Sequence, residues 1–378
     1  MQSNENEWNR KVRKQVNILL DGIFYNGHGL AEGNRSLLRI LDKAGYRVRI
    51  YVRDSSDKQM ALHPKEIKYI SSFENNRLTS NDMYIYNWIG SHARYNPEFR
   101  INIARTTFET DRIPSSWVPA LNKFNEVWVQ SKFNMTTFTS SGVKVPMRLI
   151  PNFFDFGQFS PAGPDLSLPV PESFKFLSVF DVKERKGYDI LLRAFLNEFT
   201  PEDQAALVIK IRDSSRTHII EQCIKAHPKP KKKRPNVYII DHMLEPADIV
   251  SLYRACDAFV LPTRGEGWGR PFFEAMLMEM PVIGTNWSGH TDFMHERNSY
   301  LIDIKGLTQI SEYENPLFIG HYWAEPSVED LQIKMRRVLE RKAEAKMRAM
   351  AAKQELLQTY NRRETSMKVI REIEKYRG

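Results

Sequence analysis

Cysteine is almost missing from this chain: its 378 residues hold only Cys223 and Cys256, and neither has a CxxC partner. That excludes a disulfide framework and a thiolate metal site, and it fits a reducing, cytoplasmic compartment. Histidine is sparse as well, nine residues without the clustering of a metal site. No apolar run approaches the roughly 18 residues of a membrane-spanning helix. The opening MQSNENEWNRKVRKQ has no apolar core of a signal peptide, so neither secretion by that route nor membrane crossing is expected. No solenoid-length repeat is present.

What the chain does have is apolar content and positive charge. At 42% hydrophobic residues it can bury a large core, and its length suggests two domains. The net charge of +9 favours a polyanionic partner: phosphate, nucleic acid or acidic lipid headgroups.

The order of signals is that of parallel α/β units. VNILL at 16–20 reads as a strand, DGIFYNGHGLAEG as a glycine-rich turn, and NRSLLRILDKAG as a helix closed by Gly45, before RVRIYV resumes as a strand. Further strands are expected at 83–86, 101–106 and 126–129. The stretch FFDFGQFSPAGPDLSLPVPES reads as an interdomain linker. A second series follows, with strands at 174–180, 207–211, 237–240, 258–261 and 282–285 and a helix at 188–199. From Ser327 the chain turns helical; Ser327 with Asp330 makes a capping-box pattern, and SMKVIREIEKY places Val369, Ile370 and Ile373 on one face. One biased segment, KPKKKRP at 229–235, reads as a solvated loop or a contact for phosphate or a membrane surface.

The densest chemistry lies in TRGEGWGRPFFEAMLMEMPVIGTNWSGH, residues 263–290. Pro271 suits the start of a helix, and GEGWGR is the loop feeding it. Helix N-termini present unpaired N–H groups, and glycine permits close approach to the main chain, so the loop suits an anion or a polar sugar. Glu266 in the loop and Glu274, expected in the first helical turn, offer acceptors for paired hydroxyls. The plainer readings are a solvated loop charge and a helix-dipole carboxylate.

The run EGWGRPFFE followed by AMLMEMPVIGTNWSG resembles the nucleotide-sugar motif of the retaining family-4 glycosyltransferases of GT-B fold. NGHGLAEG, FETDRIPSSWVPALN, EVWVQSKFN, IPN and SVFDVKERKGYDILLRAF agree in order along nearly the whole chain. The resemblance implies two Rossmann-like domains facing a cleft: 1–153 on the acceptor side, 154–358 binding the nucleotide sugar, and a C-terminal helix, 359–378, returning to the first domain. It implies that Glu274 holds the ribose, that Glu266 and the main chain from Gly267 through Trp268 and Gly269 to Arg270 hold the transferred sugar, and that Lys186 contacts the diphosphate. Trp268 either packs under the donor or fills the loop core. The family's usual arginine is Phe180 here, which leaves Arg185, Arg264 or Arg270 to supply the second charge. Glu109 stands where relatives carry a histidine, so its role is either acceptor-side or a salt bridge. Gly27 and Gly29 form the first-domain turn facing the diphosphate. His28, His92 and His242 are assigned to structure. With no D-x-D pair, no metal and no cofactor are expected.

The activity implied is transfer of a hexose, with retention, from a nucleoside-diphosphate sugar to a hydroxyl of a glycan or lipid-linked acceptor, in the cytoplasm or at an anionic membrane surface. Two rivals stand. A dinucleotide-dependent oxidoreductase rests on Gly27 and Gly29 after a strand and Asp54 after the next, although Gly33 is one place late. A non-catalytic nucleic-acid binder rests on charge and KPKKKRP alone.

Overall fold

Buried apolar runs make the strands, and their lengths match the runs closely. The computed structural model describes residues 15–27, 29–55, 62–152, 156–313 and 315–377. In the first domain β1 (Asn17–Gly22), β2 (Arg47–Val52), β3 (Met83–Asn87), β4 (Ile101–Arg105), β5 (Glu126–Val129) and β6 (Met147–Leu149) form one sheet in the order β2-β1-β3-β4-β5-β6. Every pairing in it is parallel. Helix α1 (Gly29–Lys43) follows β1 and buries Leu37, Leu38 and Leu41. Parallel strands need helical crossovers that cover both faces, which explains why β3 and β4 are buried along their whole length.

The second sheet repeats the plan. Its strands β7 (Phe174–Val179), β8 (Ala205–Lys210), β9 (Val237–Ile240), β10 (Ala258–Leu261), β11 (Val282–Thr285) and β12 (Tyr300–Ile302) run in the order β12-β11-β10-β7-β8-β9. Phe259, Val260 and Leu261 of β10 are fully buried, each contributing about 1.5–3 kcal/mol relative to exposure. Strand order reverses between β7 and β10, so the loops leaving their carboxyl ends diverge over a crevice, where open α/β sheets bind ligands. Helices α2 (Tyr188–Glu198) and α3 (Arg270–Leu277) start from those loops.

Three features depart from the sequence reading. The proline-rich stretch is no free linker: Phe159 and Val170 enter the second domain's core, and Arg254 donates to the carbonyls of Ser160 and Pro164. A two-stranded antiparallel arm, β13 (Ile304–Gln309) and β14 (Tyr322–Pro326), was not anticipated. It reaches the first domain, where Tyr322 N–H donates to Asp111 at 2.7 Å and Phe318 and Trp323 join a core cluster with Phe108 and Trp117. The C-terminal helical run breaks at Arg341 (φ −108°, ψ 54°) into α4 (Val328–Glu340) and α5 (Lys342–Thr359). The Ser327 hydroxyl caps α4 by accepting from Asp330 N–H.

The final helix, α6 (Arg362–Glu374), leaves the second domain and buries Val369 and Ile373 in the first domain's core, with Ile370 partly buried beside them. Tyr46 O–H donates to Glu374 at 2.7 Å, and Arg148 pairs with Glu372 at 3.1 Å. Among the described residues no helix is long and apolar enough to cross a membrane.

Candidate functional site

Two loops of the second domain are laced together at the strand-order reversal. Arg264 N–H and the Thr263 hydroxyl both donate to the Arg185 carbonyl, at 2.6 and 3.0 Å. This ties the loop after β10 to the loop after β7 and sets Lys186 beside Glu266, with Nζ to Oε1 at 2.5 Å. Arg185 Nη1 lies 3.4 Å from the same oxygen, and the Thr263 hydroxyl lies 3.1 Å from it. Burial pushes the Glu266 carboxyl up, but Lys186 and Arg185 outweigh burial and hold it down at about 2. It is an anion at any physiological pH.

Arg185 also crosses between the domains, its Nη2 3.5 Å from Glu109. Glu109 lies four residues past β4, in a loop rather than at the strand end. Burial alone would lower the Arg185 pKa, yet Glu109 and Glu266 together raise it. The arginine therefore stays charged inside the protein.

A second arrangement of the same kind stands at α3. Arg270 donates to Glu274 at 2.5 Å and to Glu32, in the first turn of α1. Tyr253 O–H donates to the other Glu274 oxygen at 3.0 Å. Burial raises the Glu274 pKa, and Arg270 only partly offsets it. The helix begins at Arg270, with Gly269 before it in the left-handed region (φ 89°), so Glu274 lies one turn in rather than in the first turn. Pro271 takes the second position because Arg270 is already helical.

The glycines of this loop have a use that their sequence did not disclose. A Cβ at Gly265 would come within 2.1 Å of the Glu109 carbonyl, and one at Gly267 within 2.0 Å of the Thr107 hydroxyl. What approaches the main chain so closely is the first domain's own loop. Trp268 is 3% exposed and packs among Phe273, Phe293 and Tyr360. Its ring fills the loop core instead of facing the cleft.

The structure sorts the remaining candidates. Arg264 is held bidentately by Asp189 at 2.8 Å on both nitrogens, by Glu325 of β14 at 3.0 Å and by the Glu184 carbonyl. It braces the hairpin against α2, which removes it as a donor charge. Asp54 accepts from the main-chain N–H groups of Phe24, Tyr25 and Asn26 at 2.7–2.9 Å. That carboxylate shapes the turn after β1 and cannot also take a ribose, which removes the basis for a dinucleotide site. Gly27 faces the second domain across the cleft, and Gly29 opens α1. His92 stacks on Trp88, the His242 carbonyl accepts from Lys210, and His28 lies outside the described residues.

Several site residues were not legible beforehand. Glu32 and Tyr253 are far in sequence from the groups they hold, and no local pattern marks them. His290 is stacked on Phe272 and bonded through Nε2 to the Thr285 carbonyl at 2.6 Å. Burial pushes its pKa down to about 4, so it stays neutral. Among the described residues no group of three or more His, Cys, Asp or Glu side chains is arranged to hold a metal ion.

Comparison with known proteins bears on the same region. Residues 172–312 match the family model of the glycosyl transferases group 1. The capsular polysaccharide biosynthesis glycosyltransferase CapM of Staphylococcus aureus is 38% identical over 74 residues, 20% of this chain and 19% of that protein. Mannosylfructose-phosphate synthase of Agrobacterium fabrum is 28% identical over 155 residues, 38% of this chain and 33% of that protein. The matches thus span a third or less of these curated relatives. Among solved structures, HepE of Anabaena in complex with UDP and glucose superposes with a TM-score of 0.68 at 16% identity, covering 96% of this chain and 100% of that one. Sucrose-phosphate synthase of Thermosynechococcus elongatus gives a TM-score of 0.68 at 15% identity, covering 96% and 99%. The chain therefore has the GT-B fold, and its second domain carries the signature of the glycosyl transferases group 1.

Proposed function

We propose that the protein is a retaining, metal-independent glycosyltransferase that moves a hexose from a nucleoside-diphosphate sugar to a hydroxyl acceptor. The observation that carries this reading is the contact of Lys186 with Glu266 at the strand-order reversal. A sugar nucleotide joins a hydroxyl-rich ring directly to a diphosphate, so it needs a carboxylate and a cation side by side, and these two residues supply them. Glu274, one helical turn further, takes the ribose hydroxyls.

The donor must compete with contacts already made. Lys186 turns from Glu266 toward a diphosphate oxygen, and Glu266, relieved of its lysine, accepts from the sugar. The ribose takes the place of Arg270 on Glu274. Charge developing on the departing diphosphate is then stabilised by fixed cations, without reorganisation of water. Both carboxylates near the sugar, Glu266 and Glu109, are held by Arg185. That favours their use in orientation, with the acceptor attacking from the face the diphosphate leaves, over a covalent intermediate. HepE in complex with UDP and glucose and the pneumococcal GtfA in complex with UDP and GlcNAc support a donor of this class. CapM, named for capsular polysaccharide biosynthesis, supports a glycan acceptor; a lipid-linked one is part of the same proposal.

The reading extends to a cytoplasmic enzyme working at an anionic membrane surface. Lys229 and Arg234 are occupied in bonding nearby main-chain carbonyls, but Lys231, Lys232 and Lys233 are exposed. Flotation with acidic liposomes tests that part, and no binding would remove it. A panel of nucleotide sugars scored by nucleotide release in the presence of EDTA tests the activity. Release from at least one donor, with product of unchanged anomeric configuration by NMR, is expected. Activity only with added divalent ion, or inverted product, would overturn the corresponding part.

A further inference from the structure

Among the described residues three that are not glycine have a positive φ: Gln204, Glu279 and Ser288. Ser288 lies at the site described above. Its φ of 80° and ψ of −165° fall in a region that glycine enters freely and that strains a residue with a Cβ. Such a conformation persists only where its surroundings over-determine it.

Those surroundings are the loop of Glu266. Gly289 N–H donates to the Glu266 carbonyl at 2.8 Å, and a Cβ on Gly289 would come within 2.2 Å of the Gly267 carbonyl, so the turn after β11 presses main chain against main chain. Thr291 donates twice to the Ser288 carbonyl, from its N–H at 3.1 Å and from its hydroxyl at 2.7 Å. These bonds fix the backbone there whatever the side chain. They account for the geometry and leave the serine unexplained.

The hydroxyl accounts for the serine. Ser288 is 2% exposed, and its Oγ accepts from the Glu266 N–H at 2.9 Å. His290 directs that bond. Its Nε2 faces the Thr285 carbonyl, which can only accept, so Nε2 carries the proton and Nδ1 the lone pair. Nδ1 is turned to Ser288 Oγ at 3.5 Å and draws the hydroxyl proton to itself, which leaves the Oγ lone pairs for Glu266. Glu266 is thus clamped at its N–H by Ser288 and at its carbonyl by Gly289. The clamp matters when a donor takes Lys186 from the carboxylate, because the main chain, with Arg185, then still holds Glu266 in place.

We propose that Ser288 is a positioning residue for Glu266, kept on a strained backbone because its hydroxyl fixes the carboxylate that faces the transferred sugar. This rests on the nucleotide-sugar reading above.

Ser288→Gly and Ser288→Ala separate the hydroxyl from the strain. Both lose the bond to Glu266, and only glycine relieves the backbone. The measurements, on the full chain, are steady-state kinetics with a nucleotide sugar that wild type turns over, calorimetry with the matching free nucleoside diphosphate, and thermal melting. Both variants should lower kcat by about 10- to 100-fold, as a small misplacement of an orienting group does. Kd for the diphosphate should stay within about twofold of wild type, since Ser288 acts on the sugar side. The glycine variant should melt above the alanine variant by about 1–4 °C, with no recovery of kcat. A glycine variant as active as wild type, turnover that recovers in step with melting temperature from alanine to glycine, or an equal loss of diphosphate affinity would overturn the role of Ser288 while leaving the donor class standing. Glycine melting no higher than alanine would overturn the strained-backbone part. Absence of turnover by wild type with every nucleotide sugar would instead overturn the reading of the site. Should the alanine variant fail to fold, kcat of the glycine variant against wild type still decides.

Discussion

The two sheets end in opposite kinds of chemistry. At the carboxyl ends of the second sheet the groups are ionised and paired: Lys186, Arg185 and Glu266, then Arg270 and Glu274. At those of the first sheet the bonds run mainly to amides and main-chain oxygens. Asn87 Nδ2 donates to Asn34 Oδ1 at 2.5 Å, Asn34 Nδ2 donates to the carbonyls of Ile23 and Asn87, and Arg105 donates to Asn87 Oδ1 and Asn152 Oδ1 at 3.3 and 2.8 Å. The same topology thus carries clustered lysine- and arginine-carboxylate contacts on one side and, around β3 and β4, a network of amides on the other, with the Arg53–Asp21 pair at the ends of β1 and β2. Burial pushes the Arg105 pKa down to about 9, whereas Arg185, also buried, and the less enclosed Arg270 are raised by their carboxylates. Enclosure alone does not set the electrostatics; the partners do.

The sharpest way to break this contrast is at Lys186. Lys186→Ala should lower turnover by about 10²- to 10³-fold at saturating donor, as expected for one preorganised charge-stabilising donor. Steady-state kinetics check it, and a purely structural lysine would change stability and leave turnover intact. Glu274→Ala should come next, raising donor Kd by about 10- to 100-fold through loss of two charge-assisted hydrogen bonds; calorimetry with nucleotide sugar and with free sugar distinguishes ribose recognition from general damage.

The scaffold side predicts the reverse pattern. Asn87→Ala strips a buried amide and leaves its partners Asn34 and Arg105 without it, so denaturation should show a loss of about 1–3 kcal/mol with donor Kd nearly unchanged. A large donor effect without loss of stability would erase the distinction between the two sheet ends. The effect confined to acid pH belongs to His290. Its folded pKa is depressed from the ordinary 6.5 to about 4, so the unfolded chain binds the proton first. Its contribution is complete above about 6.5 and is lost as pH falls toward 4. His290→Gln should flatten that acid limb in urea denaturation series taken between pH 4 and 7.

Local signals made much of this molecule legible. Runs such as AFVL and VIGT announced buried strands because they are too short for a helix, contain β-branched residues and are bounded by turn signals. Glu266, Glu274 and Lys186 were singled out by the family resemblance rather than by spacing alone, and the structure sets Lys186 beside Glu266 with Glu274 at the next helix. What escaped is what depends on distant partners. The hairpin strand IKGLTQ is mostly exposed and lacks an apolar alternation. Glu32 meets Arg270 across 238 positions, and no local pattern encodes such a meeting. Arg264 looked as free as Arg185 until Asp189 and Glu325 were seen to enclose it.

The hairpin changes what the cleft can do. Besides the linker and the crossing into α6, it joins the halves by noncovalent contact that is mainly apolar, beside the ion pairs Arg185–Glu109 and Arg270–Glu32. Pulling the domains apart along that edge would wet Phe108, Phe318 and Trp323, now 3–6% exposed, at about 1.5–3 kcal/mol for each side chain. Separation elsewhere breaks the ion pairs Arg185–Glu109 and Arg270–Glu32, the bond from Lys132 N–H to Asp292 and the ring contact of Phe133 with Trp287.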